Sequence, residues 1–213
     1  MNLQSHGSVL RSFAAALAVI SFASVPLKAQ AQSWIAGGTV GTATQDDYEV
    51  GGPIATRDDS DTGLRVFGGY MINPMQAVIV SYVDLGTAYY DGPAFGGFTD
   101  FLDADGIDIS YVVGWAPGSQ QRVAVFGTVG IFSWNQDVTY TDPTGTFVFG
   151  DDGSSFSVGF GTEINLSSDG TSQWGINVEY QLFKDVGDFN NSGHEYDRSM
   201  FSVGVDYRFG RPD

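Results

Sequence analysis

The side chains able to do acid–base or nucleophilic chemistry are few and scattered. Beyond the N-terminal thirty-one residues there is one histidine, His194, within Asn190-Asn191-Ser192-Gly193-His194-Glu195. Glu195 and a serine would complete a triad only with the nucleophile in hydrogen-bond reach of the imidazole, and no spacing in the sequence fixes one. No strand periodicity surrounds His194, so it reads as a polar loop residue and the chain as a non-enzyme. Carboxylates are more plentiful: Asp58-Asp59-Ser60-Asp61, Asp103-Ala104-Asp105-Gly106 and Asp151-Asp152-Gly153. Calcium loops need oxygen ligands at fixed offsets, and none of these runs has the D-x-[DN]-x-[DN]-G spacing with a Glu at the twelfth position. They read as solvated loops, with divalent cations as possible loop partners. No cofactor is expected, and the absence of Cys removes thiolate metal sites and disulfides together.

Composition excludes several classes. The 213 residues include 25 acids against 9 bases, for a formal net charge of −16. Phosphate affinity comes from clustered Lys and Arg, so nucleic acid is not an expected partner. Hydrophobic residues make up 42% and charged residues 16%, too apolar for a disordered chain. The 29 glycines are a further departure from an ordinary soluble domain.

Residues 1–31 have the form of a signal peptide. Arg11 precedes an apolar run from Phe13 to Val25, Pro26 follows, and Ala29-Gln30-Ala31 offers small residues for cleavage after Ala31. The apolar run is shorter than the ~20 residues a spanning helix needs. Residues 32–213 then form one domain. No later stretch is long and apolar enough for a helical span.

What that domain does contain is alternation. Phe156, Val158, Phe160, Thr162, Ile164 and Leu166 alternate with Ser157, Gly159, Gly161, Glu163 and Asn165. Trp174, Ile176, Val178, Tyr180 and Leu182 oppose Gly175, Asn177, Glu179 and Gln181, and Phe201, Val203, Val205, Tyr207 and Phe209 oppose Ser202, Gly204, Asp206 and Arg208. Weaker ladders run through Leu64–Ile72, Val78–Tyr82, Ile107–Trp115 and Val123–Ile131, and the weakest strand starts at Trp34. That makes eight strands. Short turns at 73–75, 117–120 and 167–171 alternate with long connections over roughly 44–61, 86–104, 134–153 and 184–198. An even number of antiparallel strands with short turns at one end and long loops at the other is the pattern of an eight-stranded up-and-down transmembrane β-barrel, an all-β fold.

Periodicity leaves open which face points inward. A soluble lipocalin-like binding barrel would put the Val/Phe/Tyr ladder inside. Three features favour the opposite. The polar ladder is rich in Gly and Ser, which suit a crowded lumen. Strands carry little of the charge that soluble exteriors use against association. Trp34, Tyr70, Trp115, Trp174 and Tyr207 all fall at the short-turn ends, as an interfacial aromatic girdle would. With that face inward, Arg65, Asp108, Arg122, Glu163, Glu179, Asp206 and Arg208 share the lumen. Buried charges are costly unless paired, so they should form a network, with Arg65 reaching Glu163 or Glu179.

Phe67-Gly68-Gly69-Tyr70-Met71-Ile72-Asn73-Pro74, Ser81-Tyr82-Val83-Asp84-Leu85-Gly86, Val178-Glu179-Tyr180-Gln181 and Gly204-Val205-Asp206-Tyr207-Arg208-Phe209-Gly210 together resemble the OmpA-like eight-stranded outer-membrane barrel family. The resemblance implies residence in the cell outer membrane, contact with lipid and lipopolysaccharide, and a monomer. It also implies that Ser202, Gly204, Tyr207 and Phe209 form the C-terminal signal recognised by the outer-membrane assembly machinery. Members often continue into a peptidoglycan-binding domain, which is not expected from a sequence ending four residues after Phe209. The family's interior charges align here with Glu163 but also with Ile79, Val112 and Asn177, so its gate is not expected in the usual form. The expected function is structural or surface-interacting through acidic extracellular loops, with a narrow pore for ions or small solutes as the alternative.

Overall fold

The computed structural model describes residues 33–46, 56–73, 75–92, 97–115, 122–168, 172–188 and 194–210. The signal-peptide assignment, 1–31, lies outside them. The strands are β1 (Ser33–Gln45), the three-residue β2 (Thr56–Asp58), β3 (Ser60–Asn73), β4 (Gln76–Gly92), β5 (Phe98–Trp115), β6 (Val123–Asp142), β7 (Gly145–Ser168), β8 (Ser172–Asp188) and β9 (His194–Phe209). β2 pairs with β4 past the start of β3 and so continues that stave. Each long strand pairs antiparallel with its sequence neighbour, β4 also pairs with β5, and β1 pairs with both β3 and β9. The sheet therefore closes into an eight-stave barrel.

Alternate residues sort to opposite faces because the pleat has a period of two. On the outside stand Leu64, Val66, Val78, Tyr82, Ile109, Val113, Val125, Val129, Ile131, Val158, Phe160, Val203 and Val205, all exposed. A belt of exposed aliphatic side chains is what a hydrocarbon solvent selects and water does not, and it sets the orientation of the faces. Inside stand Arg65, Ser81, Asp108, Ser157, Glu163, Glu179, Ser202 and Asp206, all buried.

The long connections inferred over 86–104, 134–153 and 184–198 are mostly strand. β4 runs to Gly92, β5 begins at Phe98, and β6 and β7 pair from Thr141↔Thr146 down to Val123↔Ile164 with a turn between Asp142 and Gly145. His194, taken from its surroundings as a loop residue, opens β9. The apolar alternation stops where hydrocarbon stops, but the backbone ladder does not depend on side-chain polarity and continues. Asp142 stabilises the outermost turn by accepting hydrogen bonds from the Thr144 amide (2.8 Å), its hydroxyl (2.5 Å) and the Gly145 amide (3.1 Å). These donors, the Thr144 hydroxyl foremost, hold the Asp142 carboxyl below its usual pKa.

The lumen is filled in layers. Nearest the short turns, Ile35, Phe67, Met71, Ala77 and Ile79 pack together against Val112. Above them comes a polar layer, then an apolar stopper of Ala43, Val83, Leu85, Ala104, Phe132, Trp134, Phe183, Val186 and Met200. Outermost, Ala88, Tyr90, Phe98, Leu102 and Val138 form a third cluster between the protruding hairpins.

Candidate functional site

The polar layer draws one inward side chain from most staves, since residues two apart on a strand share the lumen face. Arg65 on β3 donates from Nη1 to Glu179 Oε2 on β8 at 2.6 Å and from Nε to Ser81 Oγ at 2.9 Å, with its guanidinium 5.3 Å from the Phe67 ring centroid. β3 and β8 are separated by β1 and β9, so this pair spans the lumen. Arg208 on β9 pairs instead with Glu163 on β7, and its Nε lies 3.7 Å from Asp206 Oδ1. Asn177 Nδ2 donates to Asp206 Oδ2 at 3.1 Å. Asp108, fully buried, accepts from Ser157 Oγ at 2.6 Å, Gln181 Nε2 at 3.2 Å and Ser110 Oγ. Charge-assisted bonds of this kind are what keeps an ionised group in a dry interior.

The structure thus brings together six of the seven lumen charges read from the sequence. Arg122 is the exception. It precedes β6 and is exposed at the short-turn rim, where its carbonyl accepts from the Asn165 amide at 2.8 Å. Parity extended one residue beyond a strand no longer reports a face.

The girdle residues gather at the short-turn end. Trp34 faces Tyr70 across β1 and β3 with ring centroids 5.4 Å apart, and Trp174 faces Tyr207 across β8 and β9 at 4.8 Å. Trp115 is 64% exposed at the end of β5. On β9, Ser202 is buried, Gly204 and Tyr207 half-buried, and Phe209 exposed and paired with Trp34. Asp103 and Asp105, considered as part of a calcium loop, lie in β5 on the outer face, and no group of three or more His, Cys, Asp or Glu among the described residues is placed to hold a metal ion.

Two features escaped the sequence reading. One is the stopper, although its residues carry the lumen parity: Val83 follows Ser81, Phe132 and Trp134 follow Thr128, and Phe183 follows Gln181. Extending each inward ladder past the end of its apolar partner would have found it. The other is a cavity of about 80 Å³ at the short-turn end, open to solvent at its mouth. One wall is Ile35, Phe67, Met71, Ala77, Ile79 and Val112; the other carries Glu163, Asn177, Glu179, Asp206 and Arg208. Ile79, Val112 and Asn177, the positions where the resemblance placed family charges, all line it.

The family described as outer membrane protein beta-barrel domain matches residues 15–209. Outer membrane protein A of Shigella flexneri is 27% identical over 202 residues, covering 94% of this chain and 56% of that protein. Outer membrane protein A of Klebsiella pneumoniae is 29% identical over 191 residues, covering 85% and 52%. The chain spans just over half the length of these curated relatives. Among solved structures, the attachment invasion locus protein Ail of Yersinia pestis superposes with a TM-score of 0.52 at 15% identity, over 85% of this chain and 100% of that one, a likeness of fold.

Proposed function

The chain belongs to the outer-membrane β-barrel family, OmpA-like in its barrel, and resides in the cell outer membrane; from that premise we propose that it is a closed, non-enzymatic barrel with a structural and surface-interacting role. The observation that carries this is the stopper. Val83, Phe132, Phe183 and Val186 are fully buried across the lumen, and an apolar constriction of that kind admits no hydrated ion. An eight-stranded barrel has an interior just wide enough for its own side chains, so the stopper leaves no parallel path. This favours the structural reading over the narrow pore.

The surface role rests on strand length. A transmembrane strand needs roughly 9–11 residues, whereas β6 has 20 and β7 has 24. The excess stands beyond the apolar belt as an acidic hairpin whose tip exposes Phe147, Val148 and Phe149. We assign this end to the cell exterior, where Asp103, Asp105 and the hairpin acids meet lipopolysaccharide phosphates through shared divalent cations. The short turns then face the periplasm, with Trp34, Tyr70, Trp115, Trp174 and Tyr207 at that interface and Ser202, Gly204, Tyr207 and Phe209 as the signal read by the assembly machinery. Residues 1–31 are removed on export, and the barrel acts as a monomer.

Planar-bilayer recording tests the proposal. The purified barrel should give no conductance steps, and Phe132→Ala with Phe183→Ala should introduce them. Sustained steps from the unaltered protein would restore the pore reading.

A further inference from the structure

The outer half of β7 has a paired neighbour on one side only. β7 pairs with β6 from Asp142↔Gly145 to Val123↔Ile164, but its pairing with β8 begins at Ser157↔Phe183. The cause is a bulge in β8. The β8–β9 register shifts between Phe183 and Val186, and Asp185 takes φ 52°, the one positive value at a non-glycine among the described residues. A bulge bends its strand and ends pairing. Here it turns the Asp185 carbonyl to accept from Ser155 Oγ (2.7 Å) and the Asp185 amide to donate to Asp197 Oδ1 (3.1 Å). Among the described residues, β7 from Thr146 to Ser154 is therefore the edge of the protruding sheet. Every second residue there points its N–H and C=O away from β6.

Edges are usually blunted by Lys, Pro or a short strand, because they template the addition of another strand. None of these protects β7. Thr146-Phe147-Val148-Phe149-Gly150 has no charge and no proline, and all five residues are exposed. The two faces of the edge differ. On the face of lumen parity, Phe98, Tyr140 and Phe147 form an aromatic row across β5, β6 and β7, with ring centroids 6.2 and 6.5 Å apart, that ends at the edge. On the other face Asp152 and Asp137 are exposed. Asp137 pairs with Gly150, and its Oδ1 lies 3.5 Å from where a β-carbon of that glycine would be, so no side chain stands between Asp137 and the edge. β5, β6 and β7 contain no Lys or Arg to offset these acids.

We propose that this edge binds an extended segment of another protein, added as a strand, with apolar residues on one face and Lys or Arg on the other. Backbone hydrogen bonds to β7 hold the segment, and the side chains select it: apolar ones against Phe147 and Phe149, basic ones against Asp152 and Asp137. A second copy of this chain fits poorly, because it would bring these acids against their own kind, and like charges on neighbouring strands are destabilising. The proposal deepens the surface role above and rests on it for access from the cell exterior.

The probe is an eight-residue peptide alternating Lys and Val, capped at both ends, titrated at low salt into the refolded barrel in zwitterionic lipid nanodiscs. Amide hydrogen exchange, read by NMR, should slow at every second residue from Thr146 to Ser154, while the amides between them, already bonded to β6, stay unchanged. The same peptide with two valines replaced by proline keeps its charge but cannot add a strand, and should leave exchange unaltered. Asp137→Asn combined with Asp152→Asn should weaken binding about tenfold. An unchanged amide spectrum elsewhere shows that this variant is folded; if it is not, the proline peptide decides. No slowing, slowing without alternation, or equal binding by the proline peptide would overturn the proposal, the last two leaving only charge attraction. Alternate slowing that grows with barrel concentration in the absence of peptide would give the edge to a second copy and overturn it too. Labelled peptide on intact cells separates the two readings, since binding in nanodiscs but not on cells would turn the hairpin end to the periplasm and keep the site.

Discussion

Arg65 shows what a single inward residue commits a barrel to. Parity in the sequence puts it in the lumen with Glu163 and Glu179, but parity carries no height, and only the register of four staves brings Arg65 level with Glu179 and leaves Glu163 to Arg208. The pair is almost fully buried, at 4% and 6% side-chain exposure. Removing one partner of such a pair strands the other in low dielectric, so Arg65→Met should cost about 3–5 kcal/mol. Glu179→Gln in the Arg65→Met background should then cost much less than in the parent, while Glu163→Gln should be close to additive with Arg65→Met. Urea unfolding in lipid vesicles gives both double-mutant cycles. Additivity with Glu179 would mean that water, and not Glu179, compensates Arg65.

At the scale of the strand, the sequence is most readable where the two faces meet different solvents. Within the hydrocarbon belt, Val158 faces lipid and must be apolar while Ser157 faces the lumen and is free to be polar, and the alternation of β7 follows. Beyond the belt, water lies outside and packed side chains within, so Phe147, Val148 and Phe149 stand in a row without alternation although β7 is still paired to β6. This is why the hairpins read as loops and the stopper went unseen: periodicity reports the contrast between two environments, not the backbone ladder. The two regimes should respond differently to the same charge. Val158→Arg, on the belt between Val129 and Leu182, should cost roughly 2–4 kcal/mol if it lies near mid-membrane. Val148→Arg, exposed on the hairpin, should change stability by no more than about 0.5 kcal/mol. Equal costs for the two in vesicle unfolding would misplace the belt.

For the whole molecule the decisive event is closure, and β1, the weakest strand by pattern, is where it happens. Its alternation is poor because Gly37, Gly38 and Gly41 occupy positions where other strands carry larger residues. The seam with β9 supplies the reason. A β-carbon on Gly41 would stand 1.9 Å from the Phe201 carbonyl oxygen and 2.6 Å from the Ser202 α-carbon, both backbone atoms held by the ladder. Opposite, a β-carbon on Gly204 would meet the Gly38 oxygen at 2.2 Å. The two strands therefore approach closely along their lumen face, and a side chain at 41 has no flexible neighbour to displace. Gly38 is different. It lies on the alternate face, where the nearest atom to an added β-carbon is the Arg65 oxygen at 3.4 Å, an ordinary contact. Gly41→Val should then block closure, whereas Gly38→Ala should be tolerated, although the two positions are three residues apart on one strand. The readout is migration on a gel with and without boiling, since a closed barrel that resists detergent runs faster unboiled. Gly38→Ala should keep the fast species and Gly41→Val should lose it. If Gly41→Val kept it, the β1–β9 seam would have slack that its register does not show, and the glycines of β1 would need another explanation than the joining of the first strand to the last.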